Sequence, residues 1–135
     1  MKFKYFEYET HKGLIKRPGV SLLLKNGKPY VILDAIVDSG SDFSIFPIEI
    51  AGQLNIKLNG KTKESFIGAG NNPFTVYKSP IEVEHVIMLS GFRPLKWKSV
   101  VYFAESQPAI LLGHHGFLDR FKIILDGKKQ EMEII

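Results

Sequence analysis

No cysteine occurs among the 135 residues. A disulfide framework, a thiolate nucleophile and a Cys-based zinc site are therefore excluded. Dense charge of one sign is also missing. The formal net charge is only +4, and lysines such as Lys2, Lys4, Lys12, Lys16, Lys25, Lys28, Lys57, Lys61 and Lys63 are dispersed. Nucleic-acid binding calls for a basic stripe with base-reading or stacking groups. A solvated lysine surface is the better reading, and no nucleic-acid partner is expected. No apolar run approaches the ~20 residues that cross a bilayer, and Met1 to Glu7 lacks the apolar core of a signal peptide. A cytoplasmic protein without a membrane partner is the expectation. Linkers, repeats and low-complexity stretches are absent as well. With 44% apolar and 24% charged residues, the chain has the composition of one soluble globular domain.

What is present reads as mostly β. Apolar, β-branched and aromatic residues cluster at Val20 to Leu24, Tyr30 to Val37, Thr75 to Tyr77, Ile81 to Leu89, Leu95 to Phe103, Phe121 to Leu125 and Met132 to Ile135. Three pairs predict type I′ hairpin turns: Asn26-Gly27, Asn59-Gly60 and Asp126-Gly127. Helices are expected to be short. Pro47 to Leu54 starts on proline and places Ile50, Ala51 and Leu54 on one face. His115 to Phe121 has room for about one and a half turns. The N-terminal stretch, with Phe3, Tyr5, Phe6 and Tyr8, reads as an added edge strand packed through its aromatics.

The run Ala35-Ile36-Val37 ends in Asp38-Ser39-Gly40-Ser41-Asp42. A carboxylate there leaves the end of a buried strand and points into whatever cleft the strand faces. Alone, the tripeptide is weak evidence: a D-[ST]-G match arises by chance in roughly one chain of this length in ten to twenty. The plain alternative is an Asp-started turn that caps the following amides. Gly68-Ala69-Gly70 opens like a dinucleotide motif, but Pro73 and β-rich flanks leave no helix for a pyrophosphate. His114-His115 offers no partner at metal-ligand spacing, so neither metal nor cofactor is expected.

Order lends the motif its weight. A hairpin delivers Asp38-Ser39-Gly40, and a short helix follows. Then comes a glycine-rich tip, Phe66-Ile67-Gly68-Ala69-Gly70-Asn71-Asn72-Pro73-Phe74, and an apolar strand ending in glycine, Ala109-Ile110-Leu111-Leu112-Gly113. This arrangement, from about Arg17-Pro18 to Phe121, resembles the retropepsin-like aspartic proteases, single-domain relatives of the retroviral proteases. The resemblance implies an all-β acid-protease fold: a closed β-barrel with short helices and a homodimeric active site. The chain divides on this view into an N-terminal extension strand (1–16), a core (17–121) and a C-terminal hairpin (122–135).

Asp38 is then the catalytic residue of an aspartic endopeptidase. Amide hydrolysis without metal or thiol needs a base for the water and an acid for the leaving nitrogen. Two close carboxylates sharing one proton supply both. This chain has one such turn: Asp126-Gly127 lacks the hydroxyl residue and Asp34 precedes Ala35. The second carboxylate must come from another copy, so a C2 homodimer acting on a peptide or protein substrate is expected. Ser39 and Gly40 support the catalytic turn. Gly40, Asp42, Ile45, Ala109 and Leu111 line the substrate cleft, and Gly68, Ala69 and Gly70 form a flap. The alternative is a non-catalytic peptide-binding or dimerisation module on the same fold. Family members often carry Arg after the apolar-apolar-Gly segment, paired with the Asp at the Asp42 position. Here a His114–Asp42 pair, weakening above neutral pH, is the expected replacement. In viral relatives the termini interleave to build the dimer sheet; the longer C-terminus here implies a different contact.

Overall fold

The computed structural model describes residues 1–68, 70–106 and 109–135. The N-terminal stretch forms β1 (Lys2–Lys4) and then a hairpin of β2 (Phe6–Thr10) and β3 (Gly13–Arg17). β4 (Gly19–Lys25) pairs antiparallel with β5 (Tyr30–Val37). β6 (Ile45–Pro47) runs directly into α1 (Ile48–Gln53). A 3₁₀ turn over Gly60–Thr62 leads to the hairpin β7 (Lys63–Ile67) and β8 (Pro73–Lys78). β9 (Val83–Ile87), β10 (Leu95–Ser99), β11 (Tyr102–Ala104) and β12 (Leu111–Leu112) follow, before the final hairpin β13 (Ile123–Asp126) and β14 (Glu131–Ile134).

Nine strands make one sheet in the order β10-β9-β4-β5-β12-β6-β11-β8-β7. Its end strands do not pair with each other, so the expected closed barrel is an open sheet among the described residues. The ladder passes through β12, β6 and β11, each only two or three residues long. Such short strands offer few rungs for the staggered register that closure requires.

The core follows from alternation along strands. Val20, Leu22 and Leu24 of β4 are fully buried while Ser21 between them is exposed. Phe46, Phe103 and Phe117 are also sealed from solvent. Each is worth about 1.5–3 kcal/mol relative to exposure. The expected helix forms over Ile48–Gln53 with Pro47 as its N-cap, and it buries Ile50 and Ala51. No helix among the described residues is long and apolar enough to cross a membrane.

Several local expectations give way to tertiary context. Asn26-Gly27 does start a hairpin, but the loop has four residues and only Gly27 has positive φ (68°). The Asp126-Gly127 hairpin likewise has a four-residue loop, with Gln130 in the left-handed region (φ 53°) and not Gly127. Asn59-Gly60 forms no hairpin: the Asn59 side chain accepts from the Lys61 amide at 2.9 Å and caps the 3₁₀ turn. Residues 115–121 are a series of turns, because Gly116 sits at φ 93°, outside helical space. The Leu95 to Phe103 run splits, since both the amide and the carbonyl of Val101 bond to Ser79. The N-terminal stretch does more than add one strand: β1 pairs with β14, while β2 and β3 form a hairpin of their own.

One buried group has a pH consequence. His85 is 1% exposed and stacks on Trp97 at 4.8 Å. Burial disfavours the imidazolium and lowers its pKa from 6.5 to about 4. The Val83 carbonyl, which accepts a bond from Nδ1–H at 2.8 Å, opposes the shift, and the positive charge of Arg120 adds to it. Below pH 6.5 the unfolded chain takes up a proton that the folded chain refuses. Stability is therefore complete above pH 6.5 and falls as pH drops toward 4, by about 3 kcal/mol over the window. Denaturant unfolding at pH 7 and pH 4.5 should show this loss in the wild type and a shallower one in His85→Phe. Equal slopes would assign the acid sensitivity elsewhere.

Candidate active site

The site is built where two segments interlock. β5 delivers Asp38 at its end, and β12 lies parallel beside it with Leu111 opposite Ile36 and Leu112 opposite Val37. The Asp38 amide donates to the Leu112 carbonyl at 2.9 Å, which ties the turn to β12. Asp38 Oδ1 accepts from the Gly40 amide at 2.8 Å, and the Ser41 amide donates to the Asp38 carbonyl at 3.1 Å. The Asp-started turn and the strand-end carboxylate are thus one structure. Asp38 is half-buried, while Ser39, Gly40 and Asp42 are exposed.

The loop returns through Gly113. Its amide donates to Ser44 Oγ at 3.3 Å, and the next two amides, of His114 and His115, donate to the Ser41 and Asp42 carbonyls at 2.9 and 2.8 Å. A Cβ on Gly113 would lie 2.3 Å from the Phe43 carbonyl oxygen and 2.5 Å from that of Ser41. Only glycine lets these backbones come so close.

The expected His114–Asp42 pair does not form among the described residues. His114 Nε2 lies 2.7 Å from the Ser39 carbonyl oxygen, which can only accept, so the proton sits on Nε2. His115 lies 3.8 Å from Asp119 and stacks on Phe43.

The other predicted positions separate into groups. Leu111 and Ala109 are half-buried; Leu111 lies opposite Ile36 on β5 and Ile45 on β6, whereas no contact brings Ala109 to the Asp38 turn among the described residues. Ile45 itself is only 4% exposed and belongs to a small cluster with Val76, Tyr102 and Ala104. At the glycine-rich tip, Gly70 (φ 90°) and Asn71 (φ 61°) are left-handed, and the Asn71 amide donates to the Gly68 carbonyl at 3.2 Å. Side chains added at Gly68 and Gly70 would meet only Phe74 and Asn72 within 4 Å, so the tip is open. Ala69 lies outside the described residues.

An aromatic set joins these groups; the sequence singled out Phe66 as part of the glycine-rich tip but not its partners. Phe66 of β7 stacks on Phe43 at 5.3 Å, and both pack on Tyr102 at 4.8 Å. The arms of the tip are therefore seated on the loop that carries Asp38. Burial pushes the Tyr102 phenol up, and the Glu64 carboxylate adds to the shift. The only signal for Phe43 was that it directly follows the polar turn; that Phe66 and Tyr102 meet it is a property of the fold.

No family model matches the chain, and no curated protein matches it by sequence. Among solved structures, the EIAV protease in complex with an inhibitor is 20% identical over 73% of this chain and 83% of that one, with a TM-score of 0.49. The retroviral protease-like domain of Ddi1 from Leishmania major is 17% identical, covering 87% of this chain and 88% of that one, with a TM-score of 0.53. The second likeness extends over nearly the whole of both chains, and with the strand-end Asp38 turn it identifies the architecture of this chain as the retropepsin-like aspartic protease fold.

Proposed function

We propose that the chain is an aspartic endopeptidase whose water is activated by two Asp38 carboxylates, one from each subunit of a homodimer. The observation that carries this reading is the Asp38 turn itself: a half-buried carboxylate at a strand end, held by the Gly40 amide and backed by Gly113. One carboxylate takes the water's proton as the water attacks the scissile carbonyl. The other, protonated, gives its proton to the leaving nitrogen. Ser39, exposed, braces the two turns against each other. The Gly40 carbonyl accepts a substrate amide. Asp42, Ile45, Ala109 and Leu111 border the cleft, and Gly68, Ala69 and Gly70 form the cover that closes on the peptide.

A second reading is a non-catalytic peptide-binding or dimerisation module, and the termini favour its peptide-binding form. β1 closes on β14 of its own chain, with Phe3 opposite Met132 and the Met1 amino group on the Ile134 carbonyl at 3.1 Å. The terminal strands are thus already paired within one subunit.

Dilution separates the readings. Specific activity on a peptide library should fall through the dimer dissociation constant, and a tenfold excess of Asp38→Asn chain should poison the wild type by forming mixed dimers. Full activity from a species that sediments as a monomer would end the homodimer assignment. Absence of cleavage by a confirmed dimer would favour the module.

A further inference from the structure

Cross-strand register collects a distinctive set of side chains on the outer face of β5, β4, β9 and β10. Ile32, Leu23, Val86 and Lys96 form one row across the four strands. Tyr30, Lys25, Glu84 and Lys98 form the next. Leu23, Tyr30, Val86, Met88, Lys25 and Lys96 line a trough of about 480 Å³ on this face. Its floor is apolar, and much of the apolar surface around it is open: Tyr30 is 62%, Ile32 61% and Met88 58% exposed, with Phe92 at 55% on the adjoining turn. Exposed apolar side chains gathered beside an apolar trough on one sheet face suit a docking segment.

Charge selects the occupant. Lys25, Lys28 and Lys96 line the trough against the single carboxylate of Glu84, and Lys98 stands in the neighbouring row. None of these groups belongs to an ion pair among the described residues. The patch is cationic and unneutralised. The excess of lysine over carboxylate in the trough favours an acidic occupant. Leu23 and Val86 lie recessed below the exposed Tyr30 and Met88, a depth that a narrow polypeptide segment reaches and a flat bilayer surface does not.

We propose that this trough docks an extended acidic polypeptide segment bearing apolar side chains. Alternate residues of an extended chain face the same way. Its apolar side chains enter over Leu23 and Val86, and the intervening carboxylates, on the opposite face of the segment, are met at its edges by the long side chains of Lys25, Lys28 and Lys96. Apolar contact supplies affinity; the lysines select sign and accelerate encounter. The proposal does not depend on cleavage, and its test reads binding alone.

The probe is a capped octapeptide alternating Glu and Leu, titrated into the isotopically labelled full chain and followed by amide chemical shifts. Changes are expected at residues 23–32, 84–88 and 94–98, weakening with added salt. Lys25→Glu with Lys96→Glu should weaken binding at least roughly tenfold. Met88→Ser should weaken it with the charge unchanged, and thermal melts establish that both variants fold. Several results would overturn the proposal: no binding at millimolar peptide, equal binding of a Lys–Leu octapeptide, shifts centred elsewhere, or full affinity in the charge-reversed variant. Binding to phosphatidylserine vesicles but not to the octapeptide would overturn it in favour of a membrane surface.

Discussion

Asp38→Asn should abolish peptide cleavage and leave the fold in place. On the proposed reading the carboxylate has a structural and a chemical role, and this substitution divides them. Structurally, Oδ1 accepts from the Gly40 amide at 2.8 Å. The amide oxygen of Asn accepts the same bond, so the turn keeps its shape. Chemically, Asn neither takes the water's proton nor shares one with a partner carboxylate. General acid–base catalysis contributes about 10²–10⁴-fold, so a loss of at least that size is expected. The proposed two-carboxylate mechanism, in which one group is base and the other acid, predicts a bell-shaped wild-type pH–rate profile. Its acid limb should be cut back by the His85-linked loss of stability between pH 6.5 and about 4. Cleavage that survives Asp38→Asn, or a rate that climbs steadily to pH 9, would show that a different group performs the reaction.

Gly113→Ala should be the most damaging single methyl group in the chain. The added Cβ would meet the Phe43 carbonyl oxygen at 2.3 Å and the Ser41 carbonyl oxygen at 2.5 Å. Both oxygens are backbone atoms, and that of Ser41 accepts the His114 amide. No flexible side chain can yield, so the two segments must separate. Overpacking of this kind costs about 3 kcal/mol or more, which for a domain of this size lowers Tm by roughly 10 °C. Activity should fall further than stability, because the separation opens the Asp38 turn. Gly52→Ala is the matched control: Gly52 lies in α1 with open space around its Cβ direction. Alanine there should stabilise by about 0.5–1 kcal/mol through helix propensity. Similar melting temperatures for the two variants would show that the Gly113 contact is not structural.

Much of the site was readable because its signals are local. Asp38-Ser39-Gly40 combines a turn-forming carboxylate with a glycine at the end of an apolar run, and those residues alone specify a capped turn at a strand end. Pro47 marks the start of α1 for the same reason: its fixed φ suits a helix entry wherever it sits. Gly113 was legible as the end of an apolar segment, but not as a glycine pressed against two carbonyl groups.

The residues by themselves determined the absence of cysteine chemistry, the predominance of strands, the main hairpin and the placement of Asp38 at a strand end. Each rests on composition, on two-residue alternation or on a turn spanning a few neighbours. Tertiary structure decided the rest. Asn59 became a cap because the segment before it forms no strand for β7 to pair with, and β7 pairs with β8 instead; the sheet stayed open where its linking strands are short. His114 turned to the Ser39 carbonyl, 75 residues away in sequence, leaving Asp42 free of it. Contacts of that separation depend on how strands pair and stagger across the whole sheet, and no local propensity encodes them.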